Sequence, residues 1–377
     1  MNLISTEPIW IQTAEELAIL CEKWQQQAAI AIDTEFMRSD TFYPKVGLLQ
    51  IGDGKGCYLI DPLLITQLQP LRELLLNPQV TKVLHSCSED LEVFQTWLNL
   101  VPAPIFDTQI AAAFAGLGYS LSYANLVKVL LNTEIPKDET RSDWLQRPLS
   151  LAQLKYAALD VAHMLIVYGK LLTQLKSTER FAWVKSDCAD LVIKANTPMN
   201  YAEAYQDVGL AWKLRPQELF ILRELTIWRE EQSRVRNIPR NRLIKEMAMW
   251  EIARKKPDSV NDLEKIEDLP SKTLRSDAEF LLDLVKRGLA STAGQWPERL
   301  DPPLSPEYGP VIKAMKEAVR EIAEVHQLPT EILIRKKDYE FIVRSKKHAG
   351  EYQLPVRLKG WRFGLIGEKL LEVVKMV

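Results

Sequence analysis

This chain has no long apolar stretch. Its longest runs, such as Leu48-Leu49-Gln50-Ile51, fall far short of the roughly 18 residues that cross a bilayer. Nor does a basic segment lead into an apolar one at the N-terminus. The expectation is a protein neither embedded in a membrane nor secreted. Cysteine is scarce: Cys21, Cys57, Cys87 and Cys188 are widely spaced and no Cys-x-x-Cys pair occurs, which argues against a disulfide framework or zinc knuckle and fits a reducing cytoplasm. With 47% hydrophobic and 26% charged residues, the composition lies outside the disordered, collagen-like and disulfide-scaffold classes. A length of 377 residues exceeds one ordinary core and implies two or three domains.

The net charge of −2 conceals an uneven distribution. Residues 1–175 hold 12 Lys and Arg against 19 Asp and Glu, whereas residues 176–377 hold 36 against 31. Within the second half, residues 213–256 carry 12 basic against 6 acidic side chains. An excess of that size is either a nucleic-acid footprint or a solvated helical face.

Strand and helix signals alternate over the first 110 residues. Strands are expected at residues 8–12, 28–36, 47–52, 57–60, 80–85 and 105–107, with helices around 68–76 and 88–98 between them, an α/β pattern with a mixed sheet. Thr13 and Glu16 have the spacing of a capping box before a helix that runs to Trp24. After Ser120 helical spacing dominates, and residues 151–172 read as one long helix closing the first domain. Residues 195–210 read as connecting chain, and residues 295–310, with five prolines, as a linker between two further helical units. Those two units look like copies of each other. At a constant offset of 90 residues Pro239 aligns with Pro329, Leu243-Ile244-Lys245 with Leu333-Ile334-Arg335, and Ile252-Ala253-Arg254 with Ile342-Val343-Arg344.

Three groups of residues carry chemistry. Asp33 and Glu35 end a strongly apolar strand two positions apart, so the pleat sends both carboxylates to one face, a hard-oxygen pair suited to Mg²⁺ or Mn²⁺. Asp90 falls in the first turn of the helix after the 80–85 strand, where complementing the helix dipole would account for it equally well. Tyr156 and Asp160, four apart, share one face of the 151–172 helix, and Asp160 is surrounded in sequence by Ala157, Ala158, Leu159, Val161 and Ala162. Each group alone is weak. Their order is not.

The succession Asp-x-Glu, Asp, Tyr-x-x-x-Asp resembles the DEDD superfamily of 3′→5′ exonucleases in its tyrosine-bearing subgroup. The segments His85-Ser-Cys-Ser-Glu-Asp90, Phe106-Asp-Thr-Gln-Ile-Ala111, Tyr119-Ser-Leu-Ser and Ser142-Asp-Trp-Leu-Gln-Arg-Pro-Leu149 are similar to the ribonuclease D family within it. Residues 216–289 resemble the HRDC module, which that family carries with a second, divergent copy. The resemblance implies a ribonuclease H-like mixed-sheet exonuclease domain over residues 1–195, an HRDC domain over 211–292 and a divergent HRDC-like domain over 305–377, an α/β plus all-α architecture. It assigns four metal-binding carboxylates to Asp33, Glu35, Asp90 and Asp160, and the catalytic tyrosine to Tyr156. It implies two divalent cations, Mg²⁺ or Mn²⁺, acting on an in-line displacement. Because a phenol of pKa about 10 is a poor base at neutral pH, Tyr156 is expected mainly to orient the attacking water.

Five further residues are candidate substrate contacts, each with a plainer alternative. Phe36 and Met37 either wedge between the last bases of a strand or pack in the core. Arg141 and Arg147 either meet phosphates or lie on the surface. His85 is expected to be a hydrogen-bonded neighbour of the site rather than a metal ligand, and Asp107 an N-cap. The resulting expectation is a monomeric, cytoplasmic exoribonuclease that trims RNA, tRNA precursors included, from the 3′ end to nucleoside 5′-monophosphates. Two alternatives stand beside it: a 3′→5′ DNA exonuclease, though without a Gly-x-x-x-x-Gly-Lys-[Ser/Thr] helicase loop, and an inactive nucleic-acid-binding scaffold.

Overall fold

The structure, a computed structural model, describes residues 6–136 and 142–376. β1 (Pro8–Ile11) leads into α1 (Ala14–Trp24), which starts at the expected capping box: Thr13 Oγ1 accepts from the Glu16 amide at 3.1 Å while the Glu16 carboxylate accepts from the Thr13 amide at 3.2 Å. Then follow β2 (Ala29–Met37), β3 (Lys45–Gly52), β4 (Cys57–Ile60), α2 (Gln69–Leu76), β5 (Thr81–Leu84), α3 (Ser88–Leu98), β6 (Ile105–Asp107), α4 (Thr108–Phe114) and α5 (Tyr123–Leu131). The six strands form one sheet in the order β1-β4-β3-β2-β5-β6. β3 runs antiparallel to both neighbours and the other pairs are parallel. β2 is therefore interior, and Ile30, Ala31 and Ile32 are wholly buried, which is what its unbroken apolar sequence demands.

The expected 151–172 helix is two helices. α6 (Leu151–Ala162) ends at His163, and α7 (Met164–Ser177) restarts with the amides of Ile166 and Val167 both donating to the His163 carbonyl. α6 packs on β2, β3 and β4, and α7 on β2 and β5. A straight helix of that length would extend about 33 Å in one direction, so the break lets the chain follow a twisted sheet. Periodicity cannot reveal it, because both halves keep the same apolar spacing. α8 (Phe181–Asn196) follows.

The described chain divides into two compact units. One runs through Met37, resumes at Lys45–Thr197 and is completed by the segment from Leu304; the other joins Arg38–Pro44 to Pro198–Pro303. The second unit contains α9 (Pro216–Val235), α10 (Arg240–Leu243), α11 (Glu246–Lys255), α12 (Val260–Leu263) and α13 (Ser271–Ala290) around its own core. Residues 195–210 are more than connecting chain: Tyr201–Asp207 forms a 3₁₀ helix, and Tyr205 and Val208 are buried in that core.

The last segment forms α14 (Gly309–His326), α15 (Thr330–Leu333), α16 (Lys336–Ala349) and α17 (Glu368–Met376). The 90-residue offset is visible in space as well as in sequence: α10 and α15 both follow a proline, Pro239 and Pro329, and begin 90 residues apart, as do α11 and α16. The aligned Leu243 and Leu333, and Ile252 and Ile342, are all buried. Unlike the first copy, this one has no separate core. Met315, Leu333, Ile342 and Leu370 belong to the same apolar cluster as the strands. Trp361 stacks on Trp183 with centroids 4.7 Å apart and meets the edge of Phe114 at 5.2 Å, while Arg362 binds both oxygens of Asp187 at 3.0 and 2.5 Å.

Glycine is required at position 47 in β3. A Cβ there would stand 2.5 Å from the Trp144 carbonyl oxygen and 2.8 Å from its Cβ. The backbone oxygen cannot rotate away. Gly47→Ala is expected to cost about 1–3 kcal/mol of unfolding free energy, read as a lower urea midpoint at unchanged slope; a midpoint equal to wild type would show that the Trp144 segment yields freely.

Candidate active site

Strand alternation places Asp33 and Glu35 on one face of β2, as their spacing predicts. Asp33 pairs across the ladder with Gln50 and Glu35 with Leu48, and a bulge follows Glu35. α6 carries Asp160 to the same place: one carboxylate oxygen from each of Asp33, Glu35 and Asp160 lies within 4.8 Å of the other two. Tyr156, one helical turn before Asp160, is half-buried with its ring 6.1 Å from that of Trp144 and packs beside Leu48 and Leu149. Asp90 arrives from the first turn of α3, where it is buried and accepts a 2.5 Å hydrogen bond from Thr34 Oγ1. It stands outside the tight trio but close enough to act electrostatically on all three.

Gathering these groups is costly. Burial, then the charges of Asp160 and Asp90, push Glu35 up to about 9. Burial raises Asp90 to about 7 against the opposing Thr34 hydrogen bond, and burial with Asp90 raises Asp160 to about 7. Asp33 is driven well above the usual carboxylate range by burial, Asp90, Asp160 and Glu35. Such a set is stabilised by a cation and destabilised without one. The donors are all carboxylate oxygens, the ligand type of hard divalent ions. Gln50, directly across from Asp33 and fully buried, has both amide atoms without a partner among the described residues, so polar capacity beside the acids is not consumed there. The residues fit a divalent metal site. Burial and the neighbouring acids push the Tyr156 hydroxyl upward, so it is a neutral phenol at physiological pH, able to donate or accept a hydrogen bond but not to serve as a ready base.

The remaining candidates separate. Phe36 and Met37 are half-buried at the end of β2, and Met37 packs on the small cluster around Trp144. His85 spends both ring nitrogens inside the protein: Nε2 donates to the Leu121 carbonyl at 3.0 Å and Nδ1 is 2.9 Å from Thr108 Oγ1. Asp107 is the expected N-cap, accepting from the amides of Gln109 and Ile110 and also from those of Ser86 and Cys87. Arg147, considered above as a phosphate contact, is placed differently. Its five N–H donors go to both oxygens of the fully buried Asp61 and to the carbonyls of Gly47, Trp144 and Gln146, fastening the Trp144 segment to β3. Arg141 lies outside the described residues. Several bases at 213–256 are paired with acids: Glu230 binds Arg234 and Arg240, Arg236 pairs with Asp277, and Lys256 with Glu218. Glu218 and Glu230 are already among the six acids of the stretch, so most of its basic excess remains.

Sequence reasoning passed over Thr34, Gln50 and Trp144. A glutamine inside the apolar run of β3 is the one signal that marks Gln50. Nothing local marks Thr34, whose partner is 56 residues away.

The 3′-5′ exonuclease family profile matches residues 8–176, the HRDC domain profile residues 218–285, and the profile of the ribonuclease D C-terminal HRDC domain residues 306–370. Ribonuclease D of Pseudomonas paraeruginosa is 46% identical over 375 residues, covering 100% of both chains. Ribonuclease D of Escherichia coli is 35% identical over 365 residues, 96% of each chain. The crystal structure of Escherichia coli RNase D, described as an exoribonuclease involved in structured RNA processing, superposes with a TM-score of 0.91 at 33% identity, over 98% of this chain and 99% of that one.

The raised carboxylates fix a pH dependence. Each holds its proton to higher pH in the folded chain than in the unfolded one, so the folded state binds more protons between about pH 4 and 9 and loses stability as pH rises through that window. In chelator, the melting temperature is expected to fall from pH 6 to pH 9; Mn²⁺ should flatten the slope, and Glu35→Gln should flatten it without metal. Identical slopes in all three samples would mean that the acids do not repel one another in the fold.

Proposed function

Because this chain belongs to the ribonuclease D family, we propose that it is a two-cation 3′→5′ exoribonuclease that shortens RNA from its 3′ end and releases nucleoside 5′-monophosphates, with tRNA and other structured precursors as substrates. The observation that carries this reading is the meeting of Asp33 and Glu35 from β2 with Asp160 from α6 within 4.8 Å, on the helix face that also holds Tyr156.

Asp33, Glu35, Asp90 and Asp160 would hold the ions. Two divalent cations, Mg²⁺ or Mn²⁺, would supply an activated water and charge neutralisation at the scissile phosphate. The chain's own contribution is geometric. β2 and α6 fix three carboxylates from two rigid elements, and Thr34 fixes the fourth by its hydrogen bond to Asp90. The Tyr156 hydroxyl, neutral and braced by Trp144, orients the attacking water for in-line approach to the terminal phosphodiester. The domain limits we propose are 1–195 for the exonuclease, 211–292 for the first HRDC domain and 305–377 for the second. We further propose that the protein works as a monomer in the cytoplasm, in keeping with four buried cysteines and no disulfide among the described residues.

The test is a time course on 3′-structured and unstructured RNA labelled at the 5′ end, with and without chelator, alongside DNA of the same sequence. Stepwise shortening with mononucleotide release, abolished by chelator and faster on RNA, is the expected outcome. Asp33→Asn should lower the rate by about 10³-fold or more, and Tyr156→Phe by about 10- to 100-fold, with RNA affinity in chelator unchanged in both. Faster loss of DNA than RNA would move the assignment to a DNA exonuclease, and binding without shortening would make the chain a scaffold.

A further inference from the structure

Within the first unit, a cavity of about 530 Å³ opens between the exonuclease core and the last helical segment. It does not include Asp33, Glu35, Tyr156 or Asp160. Its walls are rich in groups that bind anions. Arg335, Lys336 and Arg357 come from the C-terminal segment, and Ser86, Ser88 and Ser120 from the core.

What distinguishes this cavity is which of its charges are already used. Asp107 is saturated by four backbone amides. Asp187 is held by Arg362 and Trp361. Arg357 is spent on Asp338 and the carbonyls of Ile332 and Leu333, leaving its charge but few of its donors. By contrast, the exposed Arg335 guanidinium makes no hydrogen bond or ion pair among the described residues. The Lys336 side chain is 89% exposed and its ammonium stands 3.8 Å from the Glu340 carboxylate. Glu331 is exposed and bonded to the Thr330 hydroxyl, and neither it nor Asp107 has a cationic partner among the described residues. None of the three serine hydroxyls donates to a protein acceptor among the described residues.

Two longer helices also begin in these walls. Ser88 is the first residue of the 11-residue α3 and Lys336 the first of the 14-residue α16. Both N-termini are already met by acids, Asp107 accepting from the Cys87 amide and Asp338 from the Arg335 amide, so the positive potential of these walls is that of the Arg335 and Lys336 side chains. Tyr119, at 55% exposure, offers an aromatic face at the same wall.

We propose that this cavity is a second RNA site, which holds a backbone phosphate of the substrate through Arg335, Lys336 and the serine hydroxyls, with a neighbouring base on the Tyr119 ring. The inference rests on the exoribonuclease reading for the identity of the ligand. A phosphodiester matches the walls in charge, in acceptor number and in its attached base. The C-terminal repeat then has a task of its own: it supplies the cations that the acidic exonuclease domain lacks.

The experiment is fluorescence anisotropy of labelled single-stranded RNA on the full-length chain in chelator, where no cleavage occurs, over a series of salt concentrations. Replacing both Arg335 and Lys336 by Ala should weaken binding by about 10-fold and reduce the slope of log affinity against log salt by about 0.7, the release expected for one phosphate contact on a single strand. Tyr119→Ala should weaken binding by about 5-fold or more with the slope unchanged. All three positions are exposed, and circular dichroism checks that the variants fold. Equal affinity and equal slope in the double variant would overturn the site while leaving the exoribonuclease reading intact. Unchanged RNA binding with loss of AMP binding, measured by competition, would overturn it too and give the cavity to a free mononucleotide. Wild-type protein that binds RNA without shortening it in Mn²⁺ would defeat the reading and not the site.

Discussion

The structure is organised around an electrostatic conflict. Asp33, Glu35, Asp90 and Asp160 are brought together where water is scarce, and each raises the free energy of the others. An arrangement of this kind persists only when the surrounding chain over-determines it. Here the determination comes from an interior strand whose Ile30, Ala31 and Ile32 are wholly buried, a helix docked across four strands, and a threonine that ties Asp90 to that strand. The unfavourable energy of the empty arrangement is also what gives it affinity for cations, since repulsion relieved by an ion adds to the free energy of binding it.

A further set of interactions supports the tyrosine. Arg147 commits every donor it has to Asp61 and three carbonyls, and in doing so holds Trp144 against β3 at a point where only glycine fits. Trp144 in turn limits where Tyr156 can stand. The position of this phenol thus depends on the ion pair between Arg147 and Asp61. Substitutions at Arg147 or Gly47 would act on catalysis through position, a distinction that rate and affinity measured together can resolve.

Much of this was legible in the sequence where the signal is local. The two-residue spacing of Asp33 and Glu35, the four-residue spacing of Tyr156 and Asp160, the Thr13 capping box and the 90-residue offset are written in single segments and reappear in space. That the separate acids meet could be anticipated only from the resemblance to a family, because no property of Asp90 itself points to β2. What the sequence could not show depends on partners distant along the chain. The bend at His163 reflects the twist of the sheet beneath it, the role of Arg147 requires Asp61 from another segment, and the pairing of Thr34 with Asp90 spans 56 residues. Within the basic stretch at 213–256, the pairing of Arg240 with Glu230 and of Arg236 with Asp277 likewise depends on the fold.

The two descendants of the duplicated helical module have met different fates. One keeps an interior of its own. The other has surrendered its interior to the catalytic sheet through Trp361, Arg362 and the apolar faces of its helices. Mutational freedom should differ accordingly: the autonomous copy can drift, be exchanged or be lost as a block, whereas the fused copy has become part of the enzyme's foundations and must change in step with them.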